Sequence, residues 1–434
     1  MSTIETVVTT CKRGLVLAPV AALLLSVALL LLGNGLLGTL LVVRAGNEGF
    51  ANETIGAMMS AYFAGYAIGA WFLPQVVISV GHVRTFAGFA AVASMTAILH
   101  LASIDPWSWT LLRAVTGLAY AGMILATESW LNAHAVQSTR GQLLSIFGVV
   151  SMGAWALGQA LLNVASPDGI VLFLVVSLLI TASVVPITLL PSRPPADVAQ
   201  EPFSLRQLLA ISPLATAGVF LAGLAIGAFW GMGPNFAQRI GLDVGGTSAF
   251  MAAVLGGTLV LQWPLGWVSD RLPRNMVIAA AAIGAGAAAI ALAVATQAPL
   301  PVLLVIGALF GGLGIPIYSL CAAFANDGLS QGQMLGAARG LLLLNDLGTA
   351  VGPLVGGLAM TAAGPGGLFV YASVLLGVLA VAALPNMRIG RSGEAVSTRC
   401  PHTPLITLSL NALLQGQDAP QKAKQSQPAS SGSS

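Results

Sequence analysis

Ionisable side chains are scarce in this sequence, so those falling inside apolar stretches are the first candidates for chemistry. Arg113, Thr116, Gly117, Tyr120, Ile124, Thr127 and Glu128 share one helix face, a sector of about 120° at 100° per residue. Ile124 is the one large apolar member. If the helix starts near Trp107, Arg113 lies about 9 Å along it at 1.5 Å per residue. A charge at that depth is costly unless it meets water, a carboxylate or a ligand, or snorkels to the interface. Glu128, near the other end, either titrates or is simply solvated. Asp346, next to Asn345, either accepts a proton or only accepts hydrogen bonds between helices. Asn34 among Gly33, Gly35 and Gly38, together with Trp230, Asn235, Gln262 and Trp263, either lines a solute cavity or serves packing and interfacial anchoring. The chemistry on offer is solute binding and proton exchange.

Bond-making chemistry is not suggested. The four His (82, 100, 134, 402) are scattered, and Cys11, Cys321 and Cys400 fit neither a metal spacing nor a disulfide framework. HExxH, GxSxG and Walker sequences are absent. No enzyme, metal or cofactor is therefore expected, and without a nucleotide site the energy for work must come from gradients. A net charge of only +3 does not suggest nucleic acid.

The elements that must position these residues follow from composition. Of 434 residues, 56% are apolar and 7% charged, against about 25% charged in soluble domains. Such a surface faces lipid. Apolar runs long enough to cross a bilayer as helices fall at roughly 15–43, 55–79, 83–102, 107–130, 141–163, 169–190, 208–233, 247–266, 275–297, 300–325, 339–362 and 367–386. The first run follows Lys12-Arg13 but is too long for a signal-peptide core, so it reads as a span. The domain reading is a cytoplasmic N-terminus (1–14), a six-helix half (15–190), a polar cytoplasmic linker (191–207), a second six-helix half (208–386) and a disordered cytoplasmic tail (387–434). Fourteen of the seventeen Lys and Arg then fall on the side of the termini; Arg44 and Arg239 fall opposite, and Arg113 lies within a span. Both termini are thus expected in the cytoplasm.

The halves repeat. Met59, Ala61 and Gly65 match Met251, Ala253 and Gly257 at an offset of 192; Gly117 and Asn132 match Gly311 and Asn326 at 194; Arg140, Gly141, Gly153 and Gly158 match Arg339, Gly340, Gly352 and Gly357 at 199. Two parallel repeats imply a substrate site between them. In span 11, Gly348, Gly352 and Gly356 stand four apart on one face, and Pro353 permits a bend. That face is expected to serve interdomain packing.

The loop Gly266-Trp-Val-Ser-Asp270-Arg271-Leu-Pro-Arg274 resembles the signature loop of the major facilitator superfamily. In the first half the equivalent acid position is Ile78. Arg113 with Gly117 resembles the family's RxxxG in span 4, and Gly348 to Gly357 resembles its GxxxGPxxGG motif, which is associated with antiporters when it sits in span 5. Gln262-Trp263-Pro264, Glu128-Ser129, Arg140-Gly141-Gln142-Leu143-Leu144 and Gly158-Gln159 are similar to the YcaD-like branch of bacterial major facilitators, over about residues 15–386. The resemblance implies an all-α fold of twelve transmembrane helices in two pseudo-symmetric halves, a bacterial inner-membrane location, a chain working as a monomer, and alternating access. The expected cargo is a small molecule, with protons as coupling partner: efflux of amphipathic compounds first, uptake of a metabolite second, a non-transporting sensor or scaffold third. By the family's domain pairing, the loop carrying Asp270 and Arg271 is expected to meet the start of span 5 at a cytoplasmic gate, where Arg140 attracts Asp270, with Arg339 opposite Ile78 forming the weaker mirror contact.

Overall fold

The computed structural model describes residues 2–134, 140–189, 205–329 and 331–384. For residues 2–19, 132–134, 140–142, 144, 205, 331, 332 and 335 the description covers the backbone alone. The tail 387–434, most of the linker 191–207 and the side chain of Arg140 therefore lie outside it. The described residues form helices α1 (Ser2–Asn47), α2 (Asn52–Val80), α3 (His82–Leu99), α4 (Pro106–His134), α5 (Arg140–Ala160), α6 (Val171–Thr188), α7 (Leu205–Ile211), α8 (Pro213–Arg239), α9 (Val244–Ser269), α10 (Arg274–Val294), α11 (Leu300–Gly314), α12 (Ile317–Asn326), α13 (Gln331–Ala363) and α14 (Gly367–Ala383).

Eleven segments are long and apolar enough to cross a membrane, α11 and α12 together making one of them; α14 is a shorter apolar helix of 17 residues. This is the all-α membrane architecture expected. Connections are short because their chemistry ends helices abruptly. Gly81 adopts φ +92°, which a side chain resists, and turns α2 directly into α3. Asp243 caps α9 by accepting the Gly246 N–H at 2.7 Å. Two details differ from the sequence reading. The stretch 300–325, read as one helix, breaks at Ile315–Pro316, where proline supplies no N–H to the ladder. The linker does not run unbroken to 207: α7 begins at Leu205, and Pro213 separates it from α8 by forcing Ser212 out of the helical region.

Packing repeats between the two groups of helices. Helix α2 packs on α4 as α9 packs on α11; α1 on α5 as α8 on α13; α3 on α6 as α10 on α14. Between groups, α2 meets α13 and α5 meets α9, again an equivalent pair. Glycines set the close approaches, since apolar burial alone gains little against lipid. A Cβ on Gly65 would strike the Ala114 carbonyl and one on Gly117 the Tyr62 carbonyl; in the second group, Gly257 and Gly311 stand in the same relation to Ala308 and Val254. The residues matched by offset thus make matched contacts. Apolar side chains such as Trp71, Trp107, Leu178, Val260 and Trp263 point outward, as a lipid-facing surface requires.

Candidate functional site

A cavity lies where α1, α2, α4 and α5 meet α8 and α9. It is lined by Asn34, Gly35, Gly38 and Thr39 of α1, Met59, Tyr62 and Phe63 of α2, Arg113, Trp155 and Gln159, and Trp230 and Met251 from the second group. Backbone closeness puts these side chains together. Gly117 and Gly65 let α4 press on α2, which sets Arg113 beside Tyr62; Gly35 leaves room for the Trp155 indole, whose Cδ1 is 2.5 Å from where a Cβ would stand. The Trp155 and Trp230 rings then stack across the two groups, centroids 4.7 Å apart and 17° from parallel.

Most polar groups here are tied to one another. Tyr62 donates its hydroxyl to Asn34 Oδ1 at 3.2 Å. Thr39 donates to Gln159 Oε1, and Gln159 Nε2 donates to the Gly35 carbonyl at 3.2 Å. Arg113 is the exception. It is 1% exposed, its guanidinium lies 4.1 Å over the Tyr62 ring, and its nearest polar contact is the Met59 sulfur at 3.6 Å. Its Nε and Nη1, and the hydroxyl of buried Tyr120, have no hydrogen-bond partner.

One end of the molecule, where α1 ends and α2 begins, is sealed by bonds between the groups. Asn235 Nδ2 donates to Asn52 Oδ1 at 2.9 Å, Gln238 Nε2 to the Val43 carbonyl and Asn47 Oδ1, both at 3.1 Å, and Asn163 Nδ2 to Ser248 Oγ at 2.7 Å. Thr361 donates to Glu53 Oε2 at 2.7 Å, and the Leu354 N–H to Ser60 Oγ at 3.0 Å.

A second cluster stands further along α2 and α4, joined by residues of α12 and α13. Glu128 on α4 and Asp346 on α13 come from different groups, yet lie within electrostatic reach of each other and of Tyr66 and Tyr318. All four are half-buried. His82 Nε2 sits 2.9 Å from Ser129 Oγ, pinning the start of α3 beside Glu128's neighbour. At the α9–α10 turn, Arg274 reaches Asp270 at 3.6 Å and Asp327 at 3.3 Å. Burial holds the Asp327 carboxyl above its usual range; Arg274 opposes this and Asp270 adds to it. Arg271 lies 3.6 Å over the Trp267 ring. Arg339 and Ile78 are exposed on their helices.

The polar stripe on α4 is therefore divided. Arg113 lines the cavity, with Tyr120 buried about two turns below; Thr116 turns to α3, donating to Thr96 Oγ1 at 2.9 Å; Glu128 lies within electrostatic reach of Asp346. Asn34 and Trp230 line the cavity, whereas Asn235 lies in the seal. The span 11 glycines are a correction. Gly348 and Gly352 press on α8 backbone and Gly356 on Ala228 and Leu368, all within the second group; the inter-group contact passes through Pro353, whose carbonyl meets Gly56, and through Gly357 against Asn52. Four apart marks a close face but not which helix it meets. Tyr62, Thr39 and Trp155 were not singled out from sequence, and Met59 only as a repeat position, since nothing local says which helix face looks across an interface.

The Major Facilitator Superfamily model matches residues 23–342 and, overlapping, 215–416. An Escherichia fergusonii protein named uncharacterized MFS-type transporter YcaD is 25% identical over 338 residues, covering 77% of this chain and 87% of that one. A Yersinia pestis uncharacterized MFS-type transporter is 23% identical over 344 residues, covering 79% and 89%. Among solved structures, the nucleoside transporter NupG superposes with a TM-score of 0.70 at 17% identity, over 86% of this chain and 99% of that one. A bacterial homologue of the human lysosomal transporter Spinster, inward-facing and unoccupied, gives 0.63 at 13% identity, over 93% and 99%. At those identities the structures speak for the fold alone, which is the two-group arrangement described above. With the family model covering most of the chain, this protein belongs to the major facilitator superfamily and is a multi-pass membrane transporter.

Proposed function

We propose that this chain is a secondary active transporter of the bacterial inner membrane, with both termini in the cytoplasm, that exports small amphipathic compounds in exchange for protons. The cavity carries the reading. Its walls come from both groups of helices, and the Trp155–Trp230 stack and the seal join those groups at one end. A site shared by two bodies changes the side to which it opens when the bodies rock. The excess of Lys and Arg on the side of the termini makes the sealed end the outer one. Aromatic walls with few charges suit an amphipathic cargo.

Coupling is assigned to Glu128 and Asp346. They sit on opposite groups within reach of each other, so proton uptake by one removes a like-charge repulsion that rocking apart would also remove. Purified protein in liposomes with an imposed pH gradient tests the whole. Labelled amphipathic compounds should accumulate on the side protons leave. Solute and protons moving the same way would mean uptake by symport, and no flux for any compound would mean a sensor or scaffold.

A further inference from the structure

Arg113 is surrounded by groups that do not neutralise it. Among the described residues no carboxylate pairs with it; the ion pairs seen are Arg44–Glu48, Arg274–Asp270 and Arg274–Asp327. Its neighbours are a thioether and a ring face, weak acceptors both. Two of its nitrogens, fully buried, reach no acceptor. Of the other cavity polar groups, Asn34 Oδ1 accepts from Tyr62, and Thr39 and Gln159 are occupied with each other and backbone. A buried cation left this way is costly, and its planar fork matches a carboxylate through two parallel N–H···O bonds.

We propose that the transported solute carries a carboxylate, and that Arg113 is its anchor in the cavity. This rests on the transporter reading above. Among the described residues that line the cavity Arg113 is the one cation, so a single negative charge fits where a dianionic phosphate would stay undercompensated. Trp155, Trp230, Tyr62 and Phe63 take an apolar or aromatic body. The Tyr120 hydroxyl, buried without a partner, is a further donor nearby.

The test compares 4-phenylbutyrate with its amide, which has the same body and no charge. Binding is read by quenching of tryptophan fluorescence in wild-type, Arg113→Gln and Arg113→Lys protein reconstituted in nanodiscs. The acid should bind wild type roughly tenfold or more tightly than the amide. That preference should vanish in Arg113→Gln and be partly kept in Arg113→Lys, which holds the charge without the fork. Unliganded Arg113→Met should melt no lower than wild type, since it removes an uncompensated buried charge; a purely structural arginine gives a lower melting temperature. Equal binding of acid and amide by wild type, no binding of the acid, or an acid preference that survives in Arg113→Gln overturns the proposal. Liposome flux separates this from the wider reading: equal transport of the amide by wild type and Arg113→Gln, with no preference for the acid, keeps a transporter and removes the anchor.

Discussion

Replacing Gly117 by alanine perturbs the contact that sets Arg113 beside Tyr62. The new Cβ would stand 2.8 Å from the Tyr62 carbonyl carbon and 2.9 Å from the Tyr66 nitrogen. Carbon pairs favour at least about 3.5 Å, and the Tyr62 carbonyl oxygen stands closer still, so α2 and α4 must part by more than about 0.7 Å. Both obstacles are backbone, which has no other rotamer to adopt. Overpacking then costs about 3 kcal/mol, the upper end of its range, offset by about 1 kcal/mol of better helix propensity in alanine. A net loss of about 2 kcal/mol is expected. Gly153→Ala is the control: nothing lies within 4 Å of its Cβ position, so only the propensity gain of up to about 1 kcal/mol remains. Gly311→Ala, placed against Val254 backbone, should behave like Gly117→Ala. Thermal unfolding of the three variants in detergent measures this. Gly117→Ala melting with Gly153→Ala would refute the argument that helix contact is set there.

Asn235→Leu removes the 2.9 Å bond to Asn52 and should weaken the seal by about 1–2 kcal/mol, read as faster cysteine labelling at the α8–α9 turn; unchanged labelling would show the seal does not depend on it. Glu128→Gln and Asp346→Asn should each disconnect proton movement from solute flux in liposomes, and proton-linked flux surviving both would exclude the pair as the coupling site. Asp270→Asn loses a half-exposed 3.6 Å pair with Arg274, a pair worth about 0.5 kcal/mol. Its expected effect is on the gate: spin labels across the end near the termini should separate, and Ile78→Asp should bring them back. Reporter fusions within 191–204 and at the C-terminus should both report cytoplasm; a periplasmic C-terminus would end the even-span topology.

The spans were legible because lipid demands long apolar helices, and the periodicity of α4 put Arg113 on a polar face within a span, leaving cavity and snorkelling both open until the fold placed it 1% exposed. The repeat was legible too: Gly65, Gly117, Gly257 and Gly311 matched by offset and make matching helix contacts. What did not show is what crosses between helices. Tyr62 and Trp155 look in sequence like any aromatic residue on a membrane helix, and their place at the cavity depends on Gly117 and Gly35, glycines that lie far from them along the chain. The stripe on α4 read as one face, yet Thr116 satisfies its hydroxyl on α3 and leaves. A shared helical angle fixes direction, not partner. The same limit misassigned Gly348, Gly352 and Gly356, whose spacing describes a groove that α8, not the other group, fills.

Alternating access through the sealed end is the central claim, and a reversible lock tests it most directly. Asn163 and Ser248 touch across the two groups at 2.7 Å. In a background with Cys11, Cys321 and Cys400 replaced by serine, Asn163→Cys and Ser248→Cys can be cross-linked and released by reduction. Solute flux in liposomes should stop on cross-linking and return on reduction, while each single cysteine variant stays active under oxidation. Full flux through the cross-linked protein would contradict the account, since the cavity would then empty without the two groups parting there.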